Sequence, residues 1–95
     1  MTTYEQIATK IIKEQEQLMG SVAWMEAAKV PGLKIIDQKT SNLSIETTSD
    51  ARTVIDNLIS KYRNLFGEAA RQVCREAVTA LVADLSPAEV PSSLQ

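Results

Sequence analysis

The sequence has no histidine and a single cysteine among its 95 residues. Histidine is the commonest general base and metal ligand of proteins, and a lone cysteine cannot form an internal disulfide. Glu14 and Glu16 stand two positions apart on a predicted helix, so their carboxylates point in different directions and cannot act as an acid–base pair. The sequence therefore predicts no catalytic site, no metal site and no cofactor site, and we expect a protein that is not an enzyme.

A charge of one sign and a long apolar run are missing too. The chain has 10 Lys and Arg against 12 Asp and Glu, mixed along its length, whereas a duplex-binding domain usually carries a basic stripe. The run QLMGSVAWM is too short to span a bilayer. The opening residues MTTYEQ lack the charged and then apolar pattern of a signal peptide. These absences predict no nucleic-acid partner, no membrane partner and a cytoplasmic location.

Aromatic residues make up only 4% of the chain, so the fold is predicted mainly from the spacing of aliphatic residues. Residues 3–29 repeat apolar side chains at the helical period, at Tyr4, Ile7, Ala8, Ile11, Ile12, Leu18, Met19, Val22 and Ala23. Pro31 ends the pattern, because the residue before a proline disfavours helix. A straight helix of this length would reach about 40 Å, against about 30–35 Å for a compact domain of this size. Either the helix bends at Gly20 or its end projects.

Trp24 lies nearly opposite the centre of this apolar stripe on a straight helical wheel. Residues 20–30 are consequently apolar or small on almost every side, and such a helix is usually packed against other parts of the protein on all sides. One interpretation is that the following hairpin folds over Trp24. The other is a subunit interface with Trp24 at its core beside Val22, Met25 and Ala28, since tryptophan is a frequent interface anchor. This second interpretation predicts a homodimer, because two-fold symmetry needs only one self-complementary patch.

Two short alternating segments follow the proline. Their apolar positions are Leu33 with Ile35 and Leu43 with Ile45. The connector 37–42 is rich in turn-forming residues, so the two segments predict a β-hairpin. Ile36 is out of step, which suggests a strand covered on both faces. Because an isolated hairpin is marginally stable in water, we expect this one to pack on the helices or to pair its edge with a second copy.

Gly67, in NLFGEAARQVC, separates two helical stripes. The first contains Ala51, Val54, Ile55, Leu58, Ile59, Tyr62, Leu65 and Phe66, and the second contains Ala70, Val73, Cys74, Ala77, Val78, Leu81, Val82 and Leu85. Their directions differ by roughly 130° at 100° per residue. One straight helix would point these faces to different sides, so we predict a corner at Gly67, in the left-handed conformation that ends helices. Cys74 lies inside the second stripe, which predicts a buried thiol that behaves as a small hydrophobe.

The same stretch carries a resemblance. YRNLFGEAARQVCREAV, followed by LSPAEVPSSL, is similar to a short helical element of bacterial signalling proteins, notably cyanobacterial and proteobacterial ones. The resemblance covers residues 62–94, about a third of the chain, and its matching positions are Tyr62, Phe66, Gly67, Ala70, Val73, Cys74, Arg75 and Ala77. Glu68 stands where proline is usual in that element. The resemblance implies a regulatory or scaffolding role with a signalling protein as partner, and it brings no catalytic residue.

Together these patterns predict a mostly helical α+β domain over residues 1–90, in the order long helix, β-hairpin and two helices. Pro91 stops the last short turn, so residues 91–95 are expected to fray. We expect a small cytoplasmic regulatory or scaffolding protein that acts through protein–protein interaction as a homodimer. The alternative is a small-molecule sensor with a pocket between the hairpin and the C-terminal helices. The first should show an apolar surface patch around Trp24, and the second an enclosed cavity.

Overall fold

A computed structural model of the chain describes residues 3–46, 48 and 50–94. Over these residues the element order is α1 (Thr3–Met19), α2 (Val22–Ala27), β1 (Leu33–Asp37), β2 (Asn42–Ile45), α3 (Ala51–Phe66), α4 (Glu68–Ala77) and α5 (Thr79–Val82). Two 3-10 turns follow, at Pro87–Glu89 and Ser92–Leu94. The predicted fold class, a mostly helical α+β protein with one hairpin, is confirmed.

The first apolar stripe is divided at Gly20, so the bend and not the projecting end is correct. Gly20 has a φ of 66°, a backbone conformation that glycine adopts without steric cost. The helix before it, α1, has 17 residues and is about 25 Å long at 1.5 Å per residue. This length fits within molecular extents of 32 × 28 × 20 Å. The first helix therefore does not project beyond the rest of the domain.

The core lies where α1 meets α3, α4 and β2. The two long helices supply the largest group of fully buried aliphatic side chains, namely Ile7, Ile11, Ile12, Ile55, Leu58 and Ile59. Burying one such side chain stabilises a fold by roughly 1.5–3 kcal/mol. Asp50 fixes the start of α3, because its carboxylate accepts a hydrogen bond from the Arg52 amide at 3.1 Å, which satisfies one of the unpaired donors of the first turn.

The predicted hairpin is confirmed as the antiparallel pair β1 and β2, with Leu33 opposite Ile45. The register shifts between Ile35 and Asp37, which leaves Ile36 in a β-bulge. The Ile36 side chain is 56% exposed, so the expectation of a strand covered on both faces is wrong. The extra residue of a bulge breaks the alternation and re-aims a side chain, here toward solvent.

The hairpin packs on α1 through β2. The backbone amide of Ile45 donates to the Glu5 carboxylate at 3.1 Å, while the next amide, that of Glu46, donates across the hairpin to the Gly32 carbonyl at 2.8 Å. Neighbouring amides of a strand point to opposite sides, so the Glu5 bond satisfies a donor on the outer edge of β2. The hairpin thus finds its support within the chain and does not require a second copy.

The predicted corner at Gly67 is confirmed, since α3 ends at Phe66 and α4 begins at Glu68. Gly67 has φ 77° and ψ −165°. The positive φ agrees with the prediction, but the ψ belongs to an extended region that is essentially restricted to glycine and not to the left-handed helix. The corner is also open, because a Cβ atom on Gly67 would meet no atom within 4 Å.

Residues 91–94, which the sequence predicts to fray, are packed against the helices. Pro91 is fully buried and Leu94 is 5% exposed, and the last 3-10 turn contacts both α3 and α4. Burial of two apolar side chains offsets the entropy of ordering a short segment. The last position of the predicted tail, Gln95, lies outside the described residues.

Candidate functional site

The structure separates the four residues predicted to form an interface. Trp24 is 2% exposed, and its Nε1 donates to the Glu16 carboxylate at 2.6 Å. Val22 and Met25 are 43% and 60% exposed, and Ala28 is exposed as well. Trp24 is therefore a core residue of the single chain, whereas the other three lie on its surface.

The break at Gly20 explains the burial of Trp24. A helical wheel assumes 100° per residue throughout, and the two residues between α1 and α2 reset the direction of the second helix. As a result α2 packs against α1 and α3 and turns the Trp24 side chain inward. The wheel drawn for one straight helix placed this side chain on the wrong side.

Two buried hydrogen bonds tie the α1–α2 corner to the α3–α4 corner. The Tyr62 hydroxyl donates to the Ala23 carbonyl at 2.7 Å, and the Gln15 side-chain amide donates to the Ala70 carbonyl at 3.2 Å. In each pair of helices, one of these residues precedes the corner glycine in the chain and the other follows it. The two corners therefore lie against each other at one end of the molecule.

Large apolar side chains are exposed at this end, and together we call them the corner patch. Leu18 is 65% exposed at the end of α1, and Leu65 and Phe66 are 50% and 55% exposed at the end of α3. Val22 and Met25 continue the set along α2, three residues apart, on neighbouring positions of that helix. The apolar stripes of α1 and α3 thus extend beyond the core of the single chain.

The surface around the corner patch carries both signs of charge. Glu26 of α2 pairs with Lys29, which follows that helix, at 2.9 Å, and on α4 Glu68 pairs with Arg71 at 2.7 Å. Exposed ion pairs of this kind contribute at most about 1 kcal/mol to stability. Their effect here is to leave the surroundings of the patch without a field of one sign.

A polar pair, Gln15 and Cys74, is buried between α1 and α4. Both residues are fully buried, and the Gln15 amide nitrogen lies 3.3 Å from the Cys74 sulfur. The Gln15 Oε1 atom has no hydrogen-bond partner among the described residues. The signal that could have revealed Gln15 was its spacing, because it stands three and four positions after Ile12 and Ile11 on the apolar face.

The predicted burial of Cys74 is confirmed. Burial raises the pKa of its thiol to about 11, so the thiol stays protonated near neutral pH. Because the thiolate is the reactive form of cysteine, Cys74 is placed to pack and not to react.

We expect Gln15→Met to raise the free energy of unfolding by about 1 kcal/mol, because it removes a buried carbonyl without a partner and keeps nearly the same volume. Ala70 lies within α4, so its carbonyl keeps its helical hydrogen bond. Urea denaturation of the two proteins measures the difference. Gln15→Glu serves as the control and should destabilise, because it places a carboxyl group in the core. A lower midpoint for Gln15→Met would contradict this account.

Three surface clefts, of about 410, 470 and 250 Å³, are present in the described part of the chain. The first two flank residues 87–93, and the third lies between α1 and Leu81. None of these three is lined by a hairpin residue. The pocket that the sensor alternative expects between the hairpin and the C-terminal helices is therefore not among them.

Among the described residues no cluster of three or more His, Cys, Asp or Glu side chains is placed to hold a metal ion. No described helix combines the length and the apolar character needed to cross a membrane. Comparison with protein-family models, with curated proteins and with solved structures finds no match to this chain. The surfaces of the molecule are therefore the basis for a functional proposal.

Proposed function

We propose that this chain is a small cytoplasmic regulatory or scaffolding protein that acts through protein–protein contact, as a homodimer joined at the corner patch. The observation that supports the proposal is the exposure of Leu18, Leu65 and Phe66, at 65%, 50% and 55%. These side chains belong to helical stripes whose other members form the core. Large apolar side chains exposed near one another on a protein surface commonly mark an interaction site.

The size of the patch suits a dimer. At the exposures of its five side chains it presents on the order of 400 Å² of apolar surface, judged from the area that large side chains bury. A standard interface buries about 800 Å² per partner, of which about 450 Å² is apolar. The patch can therefore supply most of the apolar part of such an interface, and the polar remainder would come from its surroundings.

The charges around the patch favour a second copy over a strongly charged partner. The pairs Glu26–Lys29 and Glu68–Arg71 each present both signs. Two copies related by a two-fold axis can therefore meet without one field repelling itself. In this dimer Val22 and Met25 contribute to the interface, whereas Trp24 supports it from the core.

Single substitutions in the corner patch test the proposal. Phe66→Ser should weaken self-association about 30-fold, because removal of a large side chain from an interface centre costs about 2 kcal/mol. Sedimentation at a series of protein concentrations measures the change. Because Phe66 is exposed in the single chain, circular dichroism should show that the variant stays folded.

Ile36→Ser is the matched control. Ile36 is 56% exposed, against 55% for Phe66, but it lies on the hairpin and not in the corner patch. We expect this variant to associate like the wild type. Equal effects of the two substitutions, or no effect of Phe66→Ser, would contradict the proposed interface.

A further inference from the structure

Side chains of the helices hold residues 86–94 chiefly by the backbone. The Tyr4 hydroxyl of α1 donates to the Glu89 carbonyl at 2.7 Å. The Arg52 guanidinium of α3 donates to the Ala88 carbonyl. Because both acceptors are backbone carbonyls, these hydrogen bonds would form whatever side chains the acceptor residues carried. They therefore fix the path of the segment but do not select its sequence.

Asp56 makes the densest contact with this segment. Its carboxylate accepts from the Ser93 amide at 2.9 Å, and from the amide and the hydroxyl of Ser92 at 3.3 and 3.0 Å. One α3 side chain thus satisfies the start of the last 3-10 turn. Hydrogen bonds to an ionised acceptor are stronger than neutral ones, so Asp56 fixes the register of the segment.

Two apolar side chains of the segment are buried against the helices. Pro91 is fully buried and Leu94 is 95% covered, with an exposure of 5%, where the last 3-10 turn contacts α3 and α4. We call the surface of α3 and α4 that residues 91–94 cover, with Asp56 at its edge, the α3–α4 groove. Spaced apolar side chains in pockets, combined with main-chain hydrogen bonds, are how proteins commonly bind peptides.

The segment lies between two open clefts. One, of about 410 Å³, is lined by α3 residues and by residues 87–92. The other, of about 470 Å³, extends past Ser93 to Ser60 and Arg63. The segment is therefore open to solvent on both sides, and its release would expose the surfaces of α3 and α4 that Pro91 and Leu94 now cover.

We propose that the α3–α4 groove is a docking site for a partner peptide of the class apolar–Pro–Ser–Ser–Leu, and that residues 90–94 occupy it in cis. The partner would place its proline and leucine where Pro91 and Leu94 now lie, and its small polar residues on Asp56. A tethered segment acts at an effective concentration in the millimolar range. The partner therefore competes with the chain itself, and the groove is open only to a segment that fits better or is present in excess.

This site uses other residues than the corner patch, although the 470 Å³ cleft beside it also reaches the Glu68–Arg71 pair that borders the patch. Asp56, Ser60 and Arg63 are spaced four and three residues apart and so share one face of α3. The corner patch occupies the following turn, at Leu65 and Phe66. The two proposals are distinguished by their tests, because the peptide test changes Leu94 of the groove and the association test changes Phe66 of the patch.

Binding of a fluorescent, end-blocked VPSSL peptide to the full chain tests the proposal. Leu94→Ala weakens the cis occupant, so it should bind the peptide about tenfold more tightly than the wild type does, because more of the groove is open. A VPSSA peptide should bind this variant about tenfold less tightly than VPSSL, since it lacks the leucine side chain. Equal binding of the two peptides, or no binding to the folded variant, would overturn the proposal.

Hydrogen exchange of the wild type gives a second test that does not depend on the variant's folding. If the segment leaves the groove by local opening, the Ser93 and Leu94 amides should exchange at least about tenfold faster than the Leu58 amide of the core. Exchange of all three at the rate of global unfolding would show that the segment cannot be displaced, and the proposal would be wrong.

Discussion

Trp24→Ala should lower the free energy of unfolding by about 3–5 kcal/mol, the usual cost of truncating a large buried aromatic side chain. Trp24 is 2% exposed, so the substitution would leave a cavity among α1, α2 and α3. A domain of this size has a total stability of roughly 5–15 kcal/mol, so this loss would be a large fraction of it. Urea denaturation followed by circular dichroism measures it.

Trp24→Phe is the matched control for the cavity. It keeps an aromatic ring in the core but removes the 2.6 Å hydrogen bond from the indole to Glu16. We expect it to cost clearly less than Trp24→Ala, since a single hydrogen bond to a charged group contributes about 1.5–3 kcal/mol. A loss below about 1 kcal/mol for Trp24→Ala would place this residue on the surface and contradict the packing of α2.

Gly67→Val should cost about 2–3 kcal/mol, because the φ of 77° and ψ of −165° are strongly unfavourable for a residue with a side chain, above all a β-branched one. A Cβ at this position would meet no atom within 4 Å, so the cost comes from the backbone and not from a clash. Gly67→Ala should therefore destabilise as well, but by less, because alanine is not β-branched. Chemical denaturation of the two variants measures both costs.

Ala69→Val is the control for a β-branched residue near the start of α4. Ala69 is exposed and helical, so its substitution should cost less than about 1 kcal/mol, from helix propensity alone. If Gly67→Val and Ala69→Val shifted the denaturation midpoint equally, the corner would not depend on the glycine backbone and the α3–α4 geometry described above would be wrong.

Periodicity predicted the elements of this fold well where each helix is straight. The apolar stripe of α3 correctly identified the buried positions from Val54 to Tyr62, and the change of direction after it located the corner at Gly67. Both inferences rest on the 100° step of a regular helix, which holds within α3 and within α4. Strand alternation predicted the hairpin, because successive side chains of a regular strand point to opposite faces.

Periodicity failed where the backbone departs from regular geometry. The bend at Gly20 reset the direction of α2, so Trp24 became a core residue. The bulge at Ile36 turned an apolar side chain to solvent. A pattern of spacings contains no information on such local breaks, because one irregular residue changes the direction of every side chain after it.

A second limit is that one sequence does not show where its core ends. Leu65 and Phe66 continue the α3 stripe but are half exposed, and Leu94 is buried although it follows a proline in a polar segment. Gln15 lies in the core as a polar residue within an apolar stripe. Each of these positions depends on which elements meet in space, and that is decided by tertiary contacts and not by local spacing.

The mass of the wild-type protein in solution, measured by sedimentation equilibrium between about 1 and 100 µM, tests the central claim most directly, because dissociation constants in this range correspond to about 5.5–8 kcal/mol of association. We predict a mass that rises with concentration toward twice the 10.4 kDa of the chain. A mass of 10.4 kDa at every concentration would contradict the proposed homodimer and leave the corner patch without the partner we assign to it.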